Sequence, residues 1–179
     1  MAKIIPLAEY KERVALRAVG RYWDSLFEEP FDAQTRLADL SPKTLFYLAE
    51  PGDESSSTLY ALIIGLFGFD ETTTFRSLNS KMQNHILDIH LFISDQIRFE
   101  MMYRLGWLER FVGNHASFFE MVTAFVRVYR KCRDQPPLLA RDHADYKSYA
   151  KLIERDQQVF IRRMMISALD EFKKTHKLT

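Results

Sequence analysis

Met82, Ile86, Ile89, Ile93 and Ile97 recur at steps of three and four residues, the spacing that stacks side chains on one face of an α-helix. Asn84, Asp88, His90, Ser94, Asp95 and Arg98 fall on the other side, so the segment reads as a two-faced helix with a solvated or interface edge. The same period governs nearly the whole chain, and the strict alternation that marks strands is missing. These patterns predict an all-α fold, a helical bundle of four long helices with an inserted region of short helices.

Helix-stop chemistry sets the expected boundaries. A first helix is predicted over about 7–28, with Tyr10, Val14, Ala18, Val19, Trp23, Leu26 and Phe27 as its apolar face and Pro30 enforcing its end. Gly20 inside it implies a close backbone crossing, because glycine in a helix interior costs about 1 kcal/mol against alanine. Short helices are expected over about 30–79. There Asp32 and Asp70 each cap one, Ser41 caps another with Pro42 at its first position, and 51–57 form a loop before a short buried helix over 59–69. Gly65 or Gly68 ends that helix. Ser80 and Gln83 read as a capping box heading a helix over 81–111, which Gly106 interrupts and Gly113 closes. Asn114 heads the next, to about 134, where Pro136 and Pro137 stop it, and Asp142 and Asp145 start the last, to about 174.

The 179 residues read as one domain. Helices of about 30 residues would reach roughly 45–50 Å, beyond the width of such a domain, and a second copy of the chain is the expected cover. A homodimer is therefore predicted.

Composition excludes several classes. One cysteine rules out a disulfide framework and any zinc or iron–sulfur site built on thiolates. Lys and Arg number 25 against 24 Asp and Glu, for a net charge of +1, which argues against nucleic acid as a partner. The most apolar run, 59–69, is far short of the roughly 20 residues that span a bilayer, so no membrane association is expected. Near the N-terminus only Ile4 and Ile5 form an apolar pair before Pro6 and a charged stretch, which is not the pattern of a secretory signal. With the lone thiol of Cys132, this predicts a cytoplasmic protein.

Glu100 and Arg104 project onto the isoleucine sector four residues apart. Such a pair reads first as a stapled helix end or a dimer contact, and functionally as an anion-binding Arg104 oriented by Glu100. His115 heads an aromatic stripe that continues through Phe118, Phe119, Val122, Phe125, Val126 and Tyr129. Glu100, Arg104 and His115 are accordingly the predicted ligand-binding residues, around a pocket formed by Met102, Trp107, Phe118, Phe119 and Phe125. Among metal candidates, His85 and Asp88 are the one pair at the i, i+3 spacing of bundle metal sites, whereas His90 lies about 140° around the helix from His85. Exposed helical His and Asp are ordinary, so no metal or other cofactor is assigned. Cys132, beside Arg130, Lys131 and Arg133, reads as inert for want of a catalytic partner. A phosphate site at Ser55-Ser56-Ser57-Thr58 ahead of a helix is physically reasonable, without the glycines or lysine of a P-loop. Gln157, alone at the centre of the last apolar face, reads as a register-fixing residue.

Residues 10–48 resemble the start of TetR-type repressors. An amphipathic helix ends in Leu26-Phe27, Phe31-Asp32-Ala33 follows, and Ser41-Pro42-Lys43-Thr44-Leu45-Phe46 is similar to that family's recognition helix. The interval between these segments is shorter than the family's by more than one helical turn, and the turn glycine is missing. The resemblance implies a dimeric helical sensor with an effector pocket.

Three readings result. The first is a non-enzymatic homodimer acting through helix-mediated association. The second is a helical sensor or regulator for a small apolar or anionic ligand. The third is a metal-dependent helical-bundle enzyme using His85, Asp88 or His143.

Overall fold

The computed structural model describes residues 6–70 and 72–178, so Ile4 and Ile5 lie outside the described residues. The chain is all-α. Its helices are α1 (Leu7–Leu26), α2 (Pro42–Ala49), α3 (Asp53–Leu66), α4 (Ser80–Arg104), α5 (Phe118–Thr123), α6 (Phe125–Asp134), α7 (Tyr146–Tyr149) and α8 (Glu154–His176). A two-stranded antiparallel sheet pairs β1 (Leu108–Arg110) with β2 (Leu138–Leu139). Among the described residues no helix is long and apolar enough to cross a membrane.

Helix α4 is the axis of the molecule, packed by α2, α3 and α8. Ile86, Ile89, Ile93 and Ile97 are each at most 1% exposed, so the isoleucine stripe is core as the spacing predicts. Its second half is buried on other sides too, with Phe92, Ser94, Gln96, Phe99, Glu100, Met101 and Met102 all sequestered. The edge expected to face solvent or a partner molecule is instead roofed along this half by α8 and by the segment around β1.

Several boundaries differ from the sequence expectation, and each difference has a local cause. Helix α4 stops at Arg104 because Gly106, at φ 75°, takes the left-handed position of a Schellman motif. The N–H of Trp107 donates to Met102 and that of Gly106 to Tyr103, and the chain leaves as β1 rather than as more helix. Asn79, not Ser80, caps the helix by accepting the Met82 N–H at 3.0 Å. The loop expected over 51–57 is mostly the first turn of α3, since Asp53 and Glu54 suit a helix N-terminus. Gly68, at φ 79°, ends α3.

The four long helices reduce to three. The stretch expected as one helix over 114–134 is a 3₁₀ turn, then α5, then α6, and the last splits into α7 and α8. Ser117 caps α5 in a reciprocal box with Glu120 and is held in place by bridge pairing with Arg36. The break at Ala124 re-aims the aromatic stripe. Phe118 on α5 packs with Trp23 of α1, ring centroids 6.0 Å apart, whereas Phe125 and Tyr129 on α6 turn to Phe92 of α4 at 5.6 and 5.8 Å. Ile153 stands outside the helix start with 64% exposure, and the core face of α8 is Ile161, Met164, Met165, Ala168 and Phe172.

The tight helix crossing lies at Gly65 rather than Gly20. A Cβ on Gly65 would stand 2.7 Å from Cγ2 of Val19 where α3 meets α1, whereas one on Gly20 would meet only the Phe31 carbonyl at 3.6 Å.

Candidate ligand-binding cleft

The re-aiming at Ala124 opens a space. An open cleft of about 850 Å³ lies between α4, α6 and α8. Its apolar lining is Phe92 and Phe99 of α4, Phe111 of the segment after β1, and Phe125 and Tyr129 of α6. Pro136 and Pro137 wall one end, and Gln158 and Arg162 of α8 line the cleft as well. Asp95 of α4 accepts a hydrogen bond from Nε of Arg162 at 3.2 Å, in an ion pair at the cleft wall. The volume, the aromatic lining and a few convergent polar groups are what a small-molecule site requires.

Those polar groups come from one stretch of α4. Ser94 is 9% exposed and Gln96 5%, and neither side chain makes a hydrogen bond among the described residues. Arg98 is half-buried and likewise has no hydrogen bond or ion pair among them. Gly113 lets the Gln96 amide oxygen approach so closely that a Cβ there would stand 2.0 Å from it. None of the polar atoms of these three side chains is sealed from solvent, so their hydrogen-bonding capacity is open to water or a ligand. Cys132 also lines the cleft, and its thiol is pushed up to about 11 by burial, which outweighs the nearby Lys131 charge.

Ser94 and Arg98 also line a second, smaller cavity of about 210 Å³ at the N-terminus of α3. Gly52, Ser55 and Ser56 form its other side, with His90 and Glu50 beside them. His90 stacks on Tyr60, ring centroids 4.1 Å apart and 13° from parallel, and its Nε2 lies 3.2 Å from the Ser56 hydroxyl. Burial holds the His90 pKa below its usual value and the Arg98 charge adds to this, while hydrogen bonding at Ser56 works the other way.

The residues predicted for ligand binding are not brought together. Arg104 donates from Nε to Glu100 at 2.8 Å, from Nη1 to the Leu40 carbonyl at 2.9 Å and from Nη2 to the Leu37 carbonyl at 2.8 Å. All three nitrogens are thus committed to the chain's own acceptors, and the pair ties the end of α4 to the turn before α2. His115 is exposed on the 3₁₀ turn Gly113–His115, off the aromatic stripe. Of the pocket residues, Phe125 lines the cleft, whereas Met102 and Phe118 are core at 0% and 2% exposure. His85 is wedged between the rings of Phe67 and Phe125, and Asp88 sits exposed at the cleft rim. Among the described residues no three of His, Cys, Asp and Glu gather closely enough to hold a metal ion. Gln157 lies in the first turn of α8 and donates to the Tyr149 carbonyl, so it joins α7 to α8 rather than marking the centre of a helix face. Ser94, Gln96 and Arg98 line the cleft instead. A helical wheel puts Ser94 and Arg98 on the polar edge but cannot show that the N-terminus of α3 and helix α8 flank it.

The segment resembling a recognition helix is α2, which buries Thr44, Leu45, Phe46, Leu48 and Ala49 of its eight residues. Only a three-residue 3₁₀ turn precedes it, so this element offers no free face to a DNA groove. Compared with protein-family models, curated proteins and solved structures, the chain matches none.

Proposed function

We propose that this chain is a small-ligand-binding helical domain whose cleft takes an amphipathic anion. The ligand's apolar or aromatic body lies against Phe92, Phe99, Phe111, Phe125 and Tyr129, and its anionic end meets Arg98. One observation carries the reading: Ser94, Gln96 and Arg98, three neighbouring polar side chains without partners, all line one aromatic cleft. Asp95 is taken up by Arg162, which leaves the Arg98 charge for a ligand. Asp88 is ten residues away, about 15 Å along the helix. A guanidinium half-withdrawn from water gains most from a carboxylate or phosphate, which its planar fork fits in two places at once.

Native mass spectrometry of the untagged full chain tests this. The expected spectrum shows a stoichiometric small-molecule adduct on the wild type that Arg98→Ala loses. A bare chain in both, or an adduct that Arg98→Ala keeps unchanged, contradicts the reading.

A specific feature of α1 supports homodimeric association as a second reading. Residues 6–14 are all exposed, and Leu7, Tyr10 and Val14 form a stripe at i, i+3 and i+7 with exposures of 69%, 58% and 48%. That is the spacing of a helix-pairing seam. The same spectrum reports it: a dimer that Tyr10→Glu with Val14→Glu converts to monomer supports the seam, and a wild-type monomer rejects it. A cytoplasmic setting fits either reading, since Cys132 is a free thiol.

A further inference from the structure

We infer that the small cavity beside the cleft is a phosphate-group subsite, formed by the N-terminus of α3, Ser56, Ser94 and Arg98. This rests on the cleft reading and specifies which anion the ligand carries.

The N-terminus of a 14-residue helix presents amide N–H groups and the positive end of the helix dipole. Here Gly52 is the cap residue and no side chain caps the first turn. Ser55, the residue placed to do so, donates its hydroxyl to the carbonyls of Glu50 at 2.6 Å and Gly52 at 3.2 Å instead. A separate observation from another element points to a ligand. Ser94 of α4, nine-tenths buried, lines this cavity with a hydroxyl that has no partner. Arg98, one turn further along α4, lines it with an unpaired guanidinium. An anion here meets helix amides from one side, the Ser94 hydroxyl, and a guanidinium fork from α4, and the Ser56 hydroxyl joins them when His90 Nε2 is the donor of their shared hydrogen bond. Donors converging from several directions suit the tetrahedral oxygens of a phosphate better than a planar carboxylate. Because Ser94 and Arg98 line both spaces, a phosphate at α3 and an apolar body in the cleft share one anchor. Glu50 is the one carboxylate lining the small cavity, and its charge opposes the anion.

The test is NMR titration of the full chain with inorganic phosphate, against sodium chloride at matched ionic strength. The subsite predicts saturable shifts at the backbone amides of Asp53, Glu54, Ser55 and Ser56 and at Arg98 Nε. Arg98→Ala weakens phosphate binding at least tenfold, Ser94→Ala severalfold, and Glu50→Gln strengthens it severalfold. Glu50 is exposed, so Glu50→Gln keeps the test decisive even if a variant at α4 fails to fold. Identical shifts with chloride, unsaturable shifts spread over the basic surface of α6, or a Glu50→Gln titration indistinguishable from wild type overturns the proposal.

Two further probes separate this failure from failure of the cleft. If 2-naphthoate saturates the cleft while phosphate leaves α3 unmoved, the subsite is wrong and the cleft stands. If phosphate saturates α3 and 2-naphthoate binds nowhere, the cleft is wrong and the subsite stands. A 2-naphthyl phosphate that binds at least tenfold tighter than inorganic phosphate shows that the phosphate belongs to a cleft ligand. Equal affinities assign the subsite to free phosphate.

Discussion

Arg104 reaches Glu100 one turn back along α4, 2.8 Å from Nε to Oε1, with the carboxylate side chain 3% exposed and the guanidinium side chain 20%. The same guanidinium holds the carbonyls of Leu37 and Leu40, so one side chain joins the central helix to the turn that leads into α2. Removing it strands a buried charge and two acceptors together. Arg104→Ala is expected to destabilise the fold by about 3–5 kcal/mol in urea unfolding. Arg104→Lys costs less than alanine, because it keeps a positive charge for Glu100, but still costs stability, because an ammonium cannot hold three acceptors spread around a planar fork. Replacing both partners, as Glu100→Leu with Arg104→Met, costs less than Arg104→Ala alone, since it also removes Oε2 of Glu100, which is buried without a partner. An Arg104→Ala variant within 1 kcal/mol of wild type, by the same measurement, contradicts this account.

The two helical glycines on α1 and α3 should answer oppositely to alanine. At Gly20 the added Cβ meets nothing closer than 3.6 Å, so the helix keeps the propensity gain of about 0.5–1 kcal/mol. At Gly65 it would stand 2.7 Å from Val19, and overpacking there costs about 1–3 kcal/mol before any propensity gain. Thermal melts should therefore rank Gly20→Ala above wild type and wild type above Gly65→Ala. Val19→Ala should recover part of the loss in the Gly65→Ala background.

His90 should make the fold acid-sensitive in a defined window. Its folded pKa is lowered, chiefly by burial, so above about pH 6.5 both the folded and the unfolded chain carry it neutral. As pH falls below that value the unfolded chain takes up the proton first, and stability declines until the folded His90 protonates as well. Tyr60 and Ser56 of α3 and Arg98 of α4 are the groups in contact with or acting on its ring. In His90→Phe, which keeps the ring against Tyr60, urea unfolding between pH 7.5 and 5 should show a shallower loss of stability. Parallel curves for the two proteins would remove His90 as the cause.

Cys132 should react sluggishly despite its basic neighbours. With the thiol pushed up to about 11, roughly two units above its ordinary value, the thiolate fraction near pH 8 falls about a hundredfold. Alkylation by iodoacetamide should be slower than that of a free cysteine by that order, and slower again with 2-naphthoate in the cleft that Cys132 lines. Alkylation at the rate of free cysteine would show that the thiol is not buried as described.

The parts of the fold legible in the sequence are those fixed by neighbours along the chain. The isoleucine stripe of α4, the Ser41–Pro42 start of α2 and the glycine stop at Gly68 each follow from local geometry. Ser117-Phe118-Phe119-Glu120 is also a local signal, the spacing of a capping box, and it marks the true start of α5 where Asn114 had been expected to serve. What the sequence does not reveal is long-range. No glycine or proline lies between Tyr146 and Phe160, so nothing local announces the break between α7 and α8. The site follows the same division. Ser94 and Arg98 read as a solvated edge because the elements that flank them, the N-terminus of α3 and helix α8, come from distant parts of the chain. Glu100 and Arg104 share an apolar sector whose closure against the turn at Leu37–Asp39 no helical wheel contains.

The most direct measurement is a chemical-shift titration of the wild type and Arg98→Ala with 2-naphthoate. The cleft account predicts saturable one-to-one shifts at Phe92, Gln96, Phe99, Phe111, Phe125 and Tyr129 in the wild type, with affinity at least tenfold weaker in Arg98→Ala. Shifts that never saturate, that map elsewhere on the molecule, or that persist at equal affinity without the guanidinium would contradict it.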